Sequence, residues 1–592
     1  MINVGALIVG RALWRFQPGL DVARLFLVIA AVFAIAGIAR ADETPTAPTV
    51  LSQADVELYR EIFSLQDAGR WDAADRLIAQ LQDDVLLGYV KYQRYMHPTA
   101  YRSQYGELKQ WMAYYADHPE AEKIYALALK RRPKGAAPPV RPITRKWKSI
   151  PAKPLHPDLE ADYARTSRPL LNQIEGRVRY LAKKEQAAQA LREIEKRHRT
   201  GAITTRQFDR MRSWIAASLY YQGYVETAKK LADEAASRSG ESAVLAYWIA
   251  GLIDFRNGDY DRAHKNFSAM AANPYQEDDL RSAAAFWTAR TALADGHAGD
   301  VASNLEIAAD FPFTFYGQLA LAQLGKEHDY NWTAPAVEPA AVEKLFADLP
   351  QTRRAVALDE VGKDIEADIE LRWVNGRAST DNAITLLALA TALNLPAAQI
   401  DIAMAREGRV FEPGLYPVPD YIPSDGFTAD RALLYALMRQ ESKFKVEATS
   451  RVGAKGLMQL MPRTASYVAK DRSLRRGKGS DRLYDPAFNM SLGQSYVNHL
   501  IERTTDGDLF EMAVAYNGGP GNLRRWKRDL SLEDPLLFIE SIPNPESRDF
   551  VERVLTNFWV YRARLGQTAP SREEVAAGRL PLYEALDQIS AQ

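Results

Sequence analysis

The chemistry of this chain is concentrated between Arg439 and Pro462, in the run Arg-Gln-Glu-Ser-Lys-Phe-Lys-Val-Glu-Ala-Thr-Ser-Arg-Val-Gly-Ala-Lys-Gly-Leu-Met-Gln-Leu-Met-Pro. One carboxylate, Glu441, ends an apolar helical pattern. Leu434, Leu437, Met438 and Glu441 are separated by steps of three and four, so they share one helix face. A carboxylate on that face costs several kcal/mol if it stays ionised and unpaired. A raised pKa is the cheaper outcome, and a carboxyl protonated near neutrality is what a general acid needs. The alternative is a structural Glu441 paired with Arg439, Lys443 or a more distant Arg. Downstream, Gly453-Ala-Lys-Gly456 permits a tight turn close to a ligand. Gln459 offers donor and acceptor together, and Met461 offers an adaptable apolar surface. The two lie on one side if the strip Gly456–Pro462 is extended. Pro462 is placed to begin the next helix.

The elements that must position Glu441 come next. A helix is expected over Thr428 to Glu441, with Thr428 or Asp430 as its cap. Four prolines and two glycines between Phe411 and Gly426 mark an irregular segment and a domain boundary. The domain that follows, 411–592, has a normal size. From about Val50 to Ile400 the pattern is helical almost throughout. Gly69-x-Trp71-x-x-Ala74 matches Gly258-x-Tyr260-x-x-Ala263, and Trp248, Gly251, Phe255 and Phe267 extend the second copy. This is similar to a tetratricopeptide repeat and predicts stacked helix pairs, an α-superhelix. The superhelical region is assigned to 42–360 and a helical linker to 361–410. Residues 131–157 interrupt it with seven prolines, eight Lys or Arg and no acid. That segment reads either as a solvated connector or as a basic strip for an anionic polymer.

Composition excludes several classes. The 592 residues carry 75 basic and 75 acidic side chains, so no global field argues for nucleic acid. There is no cysteine, and the eight His are scattered, so neither a thiolate nucleophile nor a metal site is expected. Leu25–Ile38 is an apolar run, with Arg11, Arg15 and Arg24 before it and Ala39-Arg40-Ala41 after it. Residues 1–41 therefore read as a signal peptide, with an exported, periplasmic protein and no stable membrane span once it is removed.

Three blocks in order carry a resemblance. Glu441-Ser442-x-Phe444 with Ser450-x-x-Gly453-Ala454-x-Gly456-Leu457-Met458-Gln459-Leu460-Met461-Pro462 closely resembles the soluble lytic transglycosylases. Ala515-Tyr516-Asn517-Gly518-Gly519-Pro520-Gly521 resembles the family's second block, with Gly518 in place of the commoner alanine. Glu540-Ser541-Ile542-Pro543 and Glu546-Ser547-Arg548 resemble its third. The resemblance implies an all-α chain: an α-superhelical N-terminal region and a mainly helical catalytic domain similar to goose-type lysozyme. It implies peptidoglycan glycan strands as substrate and cleavage of the β-1,4 bond after N-acetylmuramic acid, leaving a 1,6-anhydro end without consuming water. No cofactor is implied. Glu441 would be the sole catalytic carboxylate, and Tyr516 would act beside it. Ser450, Gln459 and Met461 would hold sugars, and Asn517 would brace the turn or contact substrate. Glu540 is the rival second carboxylate, or else a structural partner of Arg548. Glu447 reads as a solvated loop residue. Two other functions stay open: a lysozyme-like muramidase hydrolysing the same bond, and a helical-repeat scaffold with a glycan-binding domain. The superhelix could serve wall-synthesis or envelope-assembly proteins as a docking surface.

Overall fold

The computed structural model describes residues 47–144, 156–165 and 167–587. The expected signal peptide and the middle of the basic break, including Arg145, Lys146 and Lys148, lie outside them. Among the described residues the chain is all-α: thirty α-helices, and three isolated β-bridges in place of any sheet. No helix among them is long and apolar enough to cross a membrane.

The repeat pattern folds as its spacing demands. Leu245–Arg256 and Tyr260–Ala271 form one helix pair, turned at Gly258 with φ +78°. A Cβ on Gly251 would lie 2.7 Å from the Phe267 ring, so glycine is what lets the two helices close. Trp248 meets Phe267 edge-on at 5.4 Å and fills the remaining gap. The first copy is also a helix pair, Gln53–Asp67 and Trp71–Ile78, turned at Gly69 with φ +69°. The basic break ends the helix at Arg131, and the next described helix is Pro157–Arg165.

Two large cores organise the stack. One joins Leu51–Val90 to Leu345–Phe411. The helices Gln351–Glu360 and Asp364–Asn375 both contribute to it, so the boundary expected at 360/361 falls in a short turn inside one packed unit. Polar ties reinforce this junction: Tyr89 donates to Glu370, and Arg354 pairs with both Glu370 and Asp117. The second core runs without a break from Leu171–Ala320 into Ala429–Val575, so the C-terminal domain is packed on the helical stack.

Within that domain the helix Arg431–Glu441 lies against the long helix Pro545–Arg564. Asp430 pairs with Arg562 at one end, and Arg439 donates to Asn557 near the other, which makes the two helices antiparallel. Neither expected cap operates. The Asp430 carboxylate takes Arg562 and the backbone N–H groups of Leu586 and Asp587, and Thr428 serves Asn498. The Pro-rich segment opens with a single helical turn, Glu412–Leu415, and is irregular from Tyr416 on. It is held by tyrosines, Tyr435 donating to the Pro419 carbonyl and Tyr561 to that of Pro417.

Candidate active site

Leu434, Leu437 and Met438 are fully buried, and the same face carries Glu441 at the helix end. Glu441 keeps a partly exposed edge while its carboxyl is densely surrounded. Burial pushes its pKa from the ordinary 4.5 to about 8, and the like charge of Glu546 adds to the rise. Among the described residues no cation or hydrogen-bond donor meets this carboxyl. The expected alternative, a structural pair with Arg439 or Lys443, is absent: Arg439 is spent on Asn557 and the Leu415 carbonyl.

The strip after Gly456 is not extended. Residues 456–459 form a turn closed by the Lys455–Leu460 bridge, with Thr449 paired to Lys455 beside it. Gly456 has φ +78°, and a Cβ there would meet the Leu483 carbonyl oxygen at 2.1 Å, so no other residue fits. Asn489, fully buried, pins this turn from the helix Pro486–Arg503. It accepts from Met458 N–H at 2.9 Å and donates to the Lys455 and Leu483 carbonyls. Sequence reasoning missed Asn489, because an Asn inside a helix carries no pattern of its own.

Ser450 and Gln459 are partly tied into the loop. Ser450 Oγ accepts from Ala454 N–H at 2.9 Å and keeps its own hydroxyl hydrogen to donate. Gln459, at φ +45°, donates through Nε2 to the Gly456 and Ala448 carbonyls, which leaves its Oε1 as acceptor. Met461 is 38% exposed at the start of the helix Pro462–Val468. Tyr516 comes from the helix Leu509–Gly518. Its hydroxyl donates to the Met458 carbonyl at 2.8 Å, and its ring stacks on Phe550. Burial first, and then the Glu441 charge, push the Tyr516 pKa well up, which places the two groups in one electrostatic neighbourhood. Asn517 accepts from Ser547 at 2.7 Å and joins two helices.

Glu540 faces elsewhere. It is 5% exposed and accepts from Tyr316 of the helical stack. Tyr220 and Ser541 share a hydrogen bond at 2.7 Å in the same seam. The expected salt bridge to Arg548 does not form. Arg548 lies over the Tyr221 ring at 3.6 Å and donates to the Ile542 carbonyl, and it acts on Glu540 only at longer range. The carboxylate that acts on Glu441 is instead Glu546, exposed in the first turn of Pro545–Arg564. The Asn544-Pro545 start of that helix was the legible signal, since it fixes Glu546 at the helix mouth. Glu447, expected to be merely solvated, pairs with Arg372 at 2.6 Å.

Residues 423–534 match the family model described as the transglycosylase SLT domain. That span contains Glu441, Ser450, Gln459, Met461 and Tyr516 in the arrangement above. These residues belong to the SLT-domain family. Around the SLT domain the likeness is wider and weaker. The chain is 25% identical over 372 residues to the soluble lytic murein transglycosylase of Salmonella typhimurium, 62% of this chain and 56% of that protein. It is 24% identical over 367 residues to the Escherichia coli K12 protein of the same name, 61% and 55% of the two chains. The match thus spans little more than half the length of these curated relatives. The 70-kDa soluble lytic transglycosylase of Escherichia coli superposes with a TM-score of 0.53 at 17% identity, covering 88% of this chain and 98% of that one. An inactive mutant of the Pseudomonas aeruginosa lytic transglycosylase Slt gives 0.53 at 19%, covering 88% of each. At these identities the likeness is one of fold, and it extends through the helical stack as well as the SLT domain.

Proposed function

We propose that the chain is a peptidoglycan lytic transglycosylase of the cell envelope, exported to the periplasm by its leader. The observation that carries this reading is Glu441: a buried carboxyl without a partner, pushed to about 8 and so protonated at neutral pH. Glu441 would donate that proton to the glycosidic oxygen as the bond from C1 of N-acetylmuramic acid breaks, freeing the 4-hydroxyl of N-acetylglucosamine. The substrate's own acetamido group would steady the cationic C1. Glu441, now ionised, would take the proton of the C6 hydroxyl, and that oxygen would close on C1 as the 1,6-anhydro ring. The proton lost in the first half is regained in the second, and no water enters.

The other groups receive roles that fit their free valences. Gln459 Oε1 and the Ser450 hydroxyl would bind amide and hydroxyl groups of sugars on either side of the cut. Met461 would pack on a sugar face. Tyr516 would hold the 456–459 turn from its place beside Glu441, and Asn517 would keep its helix in place. The names of the matched relatives support the substrate class, and a solved complex of a 70-kDa soluble lytic transglycosylase with bulgecin A shares the fold at a TM-score of 0.54. Wall-synthesis or envelope-assembly proteins docked on the helical stack remain part of the proposal.

A muramidase is the second reading, and Glu546 is the observation in its favour, since a hydrolase needs a second carboxylate to activate water. Mass analysis of digested wall separates the two. Muropeptides lighter by one water, with no reducing end, are the expected products; reducing-end products alone would replace the transglycosylase with a hydrolase.

A further inference from the structure

The chain leaves Glu441 through backbone that side chains resist. Lys443 and Phe444 have φ of +52° and +59°. A left-handed residue that carries a Cβ is strained, because the Cβ crowds the following carbonyl oxygen. Two such residues in succession persist only where their surroundings over-determine them. Part of that hold is local: the Ser442 hydroxyl donates to the Met438 carbonyl at 3.1 Å, and Phe444 is 1% exposed.

The rest comes from helices that precede the SLT domain. Lys445 Nζ reaches Asp401 at 3.3 Å. Arg372, its side chain only 8% exposed, bridges Asp368 at 2.5 Å and Glu447 at 2.6 Å. Asp368 is itself fixed by the Ala398 N–H at 2.7 Å. Behind the loop lies a cavity of about 270 Å³, lined by Phe444, Val446 and Glu447 on one side and by Asp364, Asp368 and Leu395 on the other. That cavity separates part of the loop from the helices, so packing alone does not bridge the two there. The two ion pairs span the gap instead.

We propose that Arg372 is a positioning residue for the reaction. Acting through Glu447, and with Lys445–Asp401 beside it, it holds the left-handed loop and so fixes the position of the Glu441 carboxyl. The helical region would thus be part of the catalytic apparatus without touching substrate. The inference rests on Glu441 being the acid of the proposed reaction.

The full-length chain tests it. Arg372→Met would strand the buried Asp368, so the pair is better broken from the exposed side. Glu447→Ala, Lys445→Ala and the double variant are compared with wild type on purified glycan strands, with kcat, KM, the pH profile and Tm measured together. A misplaced acid lowers kcat by about ten-fold in Glu447→Ala, and further in the double variant, with KM within about two-fold. The alkaline limb also moves to lower pH, because a relaxed loop admits water to Glu441; Glu546 and Tyr516, the other groups facing it, are unchanged. Glu447→Gln keeps an acceptor for Arg372 and recovers most of kcat. Unaltered kcat and pH limb in the double variant overturn the assignment, as does a fall in kcat that only tracks lost Tm with the limb unmoved. A wild-type chain that releases no anhydro product overturns the reaction itself, and the assignment with it.

Discussion

The helix end at Glu441 and the seam at Glu540 are both poor places for a carboxylate, and in both burial is the largest cause of a raised pKa. They differ in what surrounds the oxygens. Glu540 has the Tyr316 hydroxyl on it and Arg548 at longer range, and it is closed in by the helical stack. Glu441 has no such partner, keeps an edge toward solvent, and meets only the repulsion of Glu546. Desolvation alone therefore does not mark the acid, because it acts on both. The unfilled hydrogen-bonding capacity of Glu441 marks it: a protonated carboxyl with no acceptor inside the protein is free to donate to a ligand. Glu540 has used the same capacity to join two parts of the chain.

Exchanging Glu441 tests that contrast most severely. Glu441→Gln keeps the shape and removes the proton, so turnover should fall by at least about a thousand-fold while glycan binding stays within a few-fold. Residual activity above a few per cent of wild type, measured by release of soluble muropeptides, would remove Glu441 from the acid's role. The same variant carries a stability signature. Below pH 4.5 the proton is bound in both folded and unfolded chains. Between 4.5 and about 8 the folded chain keeps a proton that the unfolded chain loses, so wild-type stability declines across that window. Gln lacks this penalty, so the variant should be more stable than wild type by on the order of 3 kcal/mol at pH 7, with no such gain at pH 4. Thermal melts at the two pH values read the difference.

Tyr516→Phe comes next. It strips the hydroxyl from the Met458 carbonyl and loosens the 456–459 turn, while Tyr516 itself lies in the electrostatic neighbourhood of Glu441. A kcat loss of about ten- to a hundred-fold, with a stability loss of about 1–3 kcal/mol, is expected. Full kcat with lowered Tm would make Tyr516 purely structural. In the seam the balance should reverse. Glu540→Leu leaves the buried Tyr316 hydroxyl without its acceptor and should cost about 1–3 kcal/mol of stability, with kcat of the folded protein within about three-fold. Glu540→Gln keeps an acceptor and should be milder. A hundred-fold loss of kcat at unchanged Tm would turn Glu540 back into a second catalytic carboxylate and erase the comparison.

The local rules were legible in the sequence, and the long-range partners were not. Steps of three and four placed Glu441 on a buried face, and the glycine spacing at 251 and 258 gave a helix pair that closes on Phe267. Both depend on residues within one or two turns of each other. The structural partner of Glu540, Tyr316, is not legible because it lies 224 positions away, and that of Glu447 because Arg372 lies 75 away. Asp430 shows the same limit at a helix start: it has the right type for a cap, yet Arg562 and the C-terminal strap take its carboxylate. The turn at 456–459 is not legible because Gln459 is a non-glycine residue in the left-handed region, a conformation no spacing announces.

Glu546 gives the smallest and most discriminating effect. Its charge raises the Glu441 pKa, but it ranks behind burial as a cause. Glu546→Gln should therefore move the alkaline limb of kcat/KM, which reports Glu441 in the free enzyme, to lower pH by less than about one unit. The direction follows from sign: removing a like charge makes ionisation of Glu441 easier. An exposed carboxylate at a helix mouth is also screened by salt, so the gap between variant and wild type should narrow as ionic strength rises. A hydrolase predicts something else, because there Glu546 would hold the attacking water. Its loss would then collapse kcat at every pH and salt concentration, and the limb would hardly matter. A small, salt-sensitive shift with kcat preserved leaves Glu441 as the lone acid and keeps Glu546 as a neighbour that tunes it.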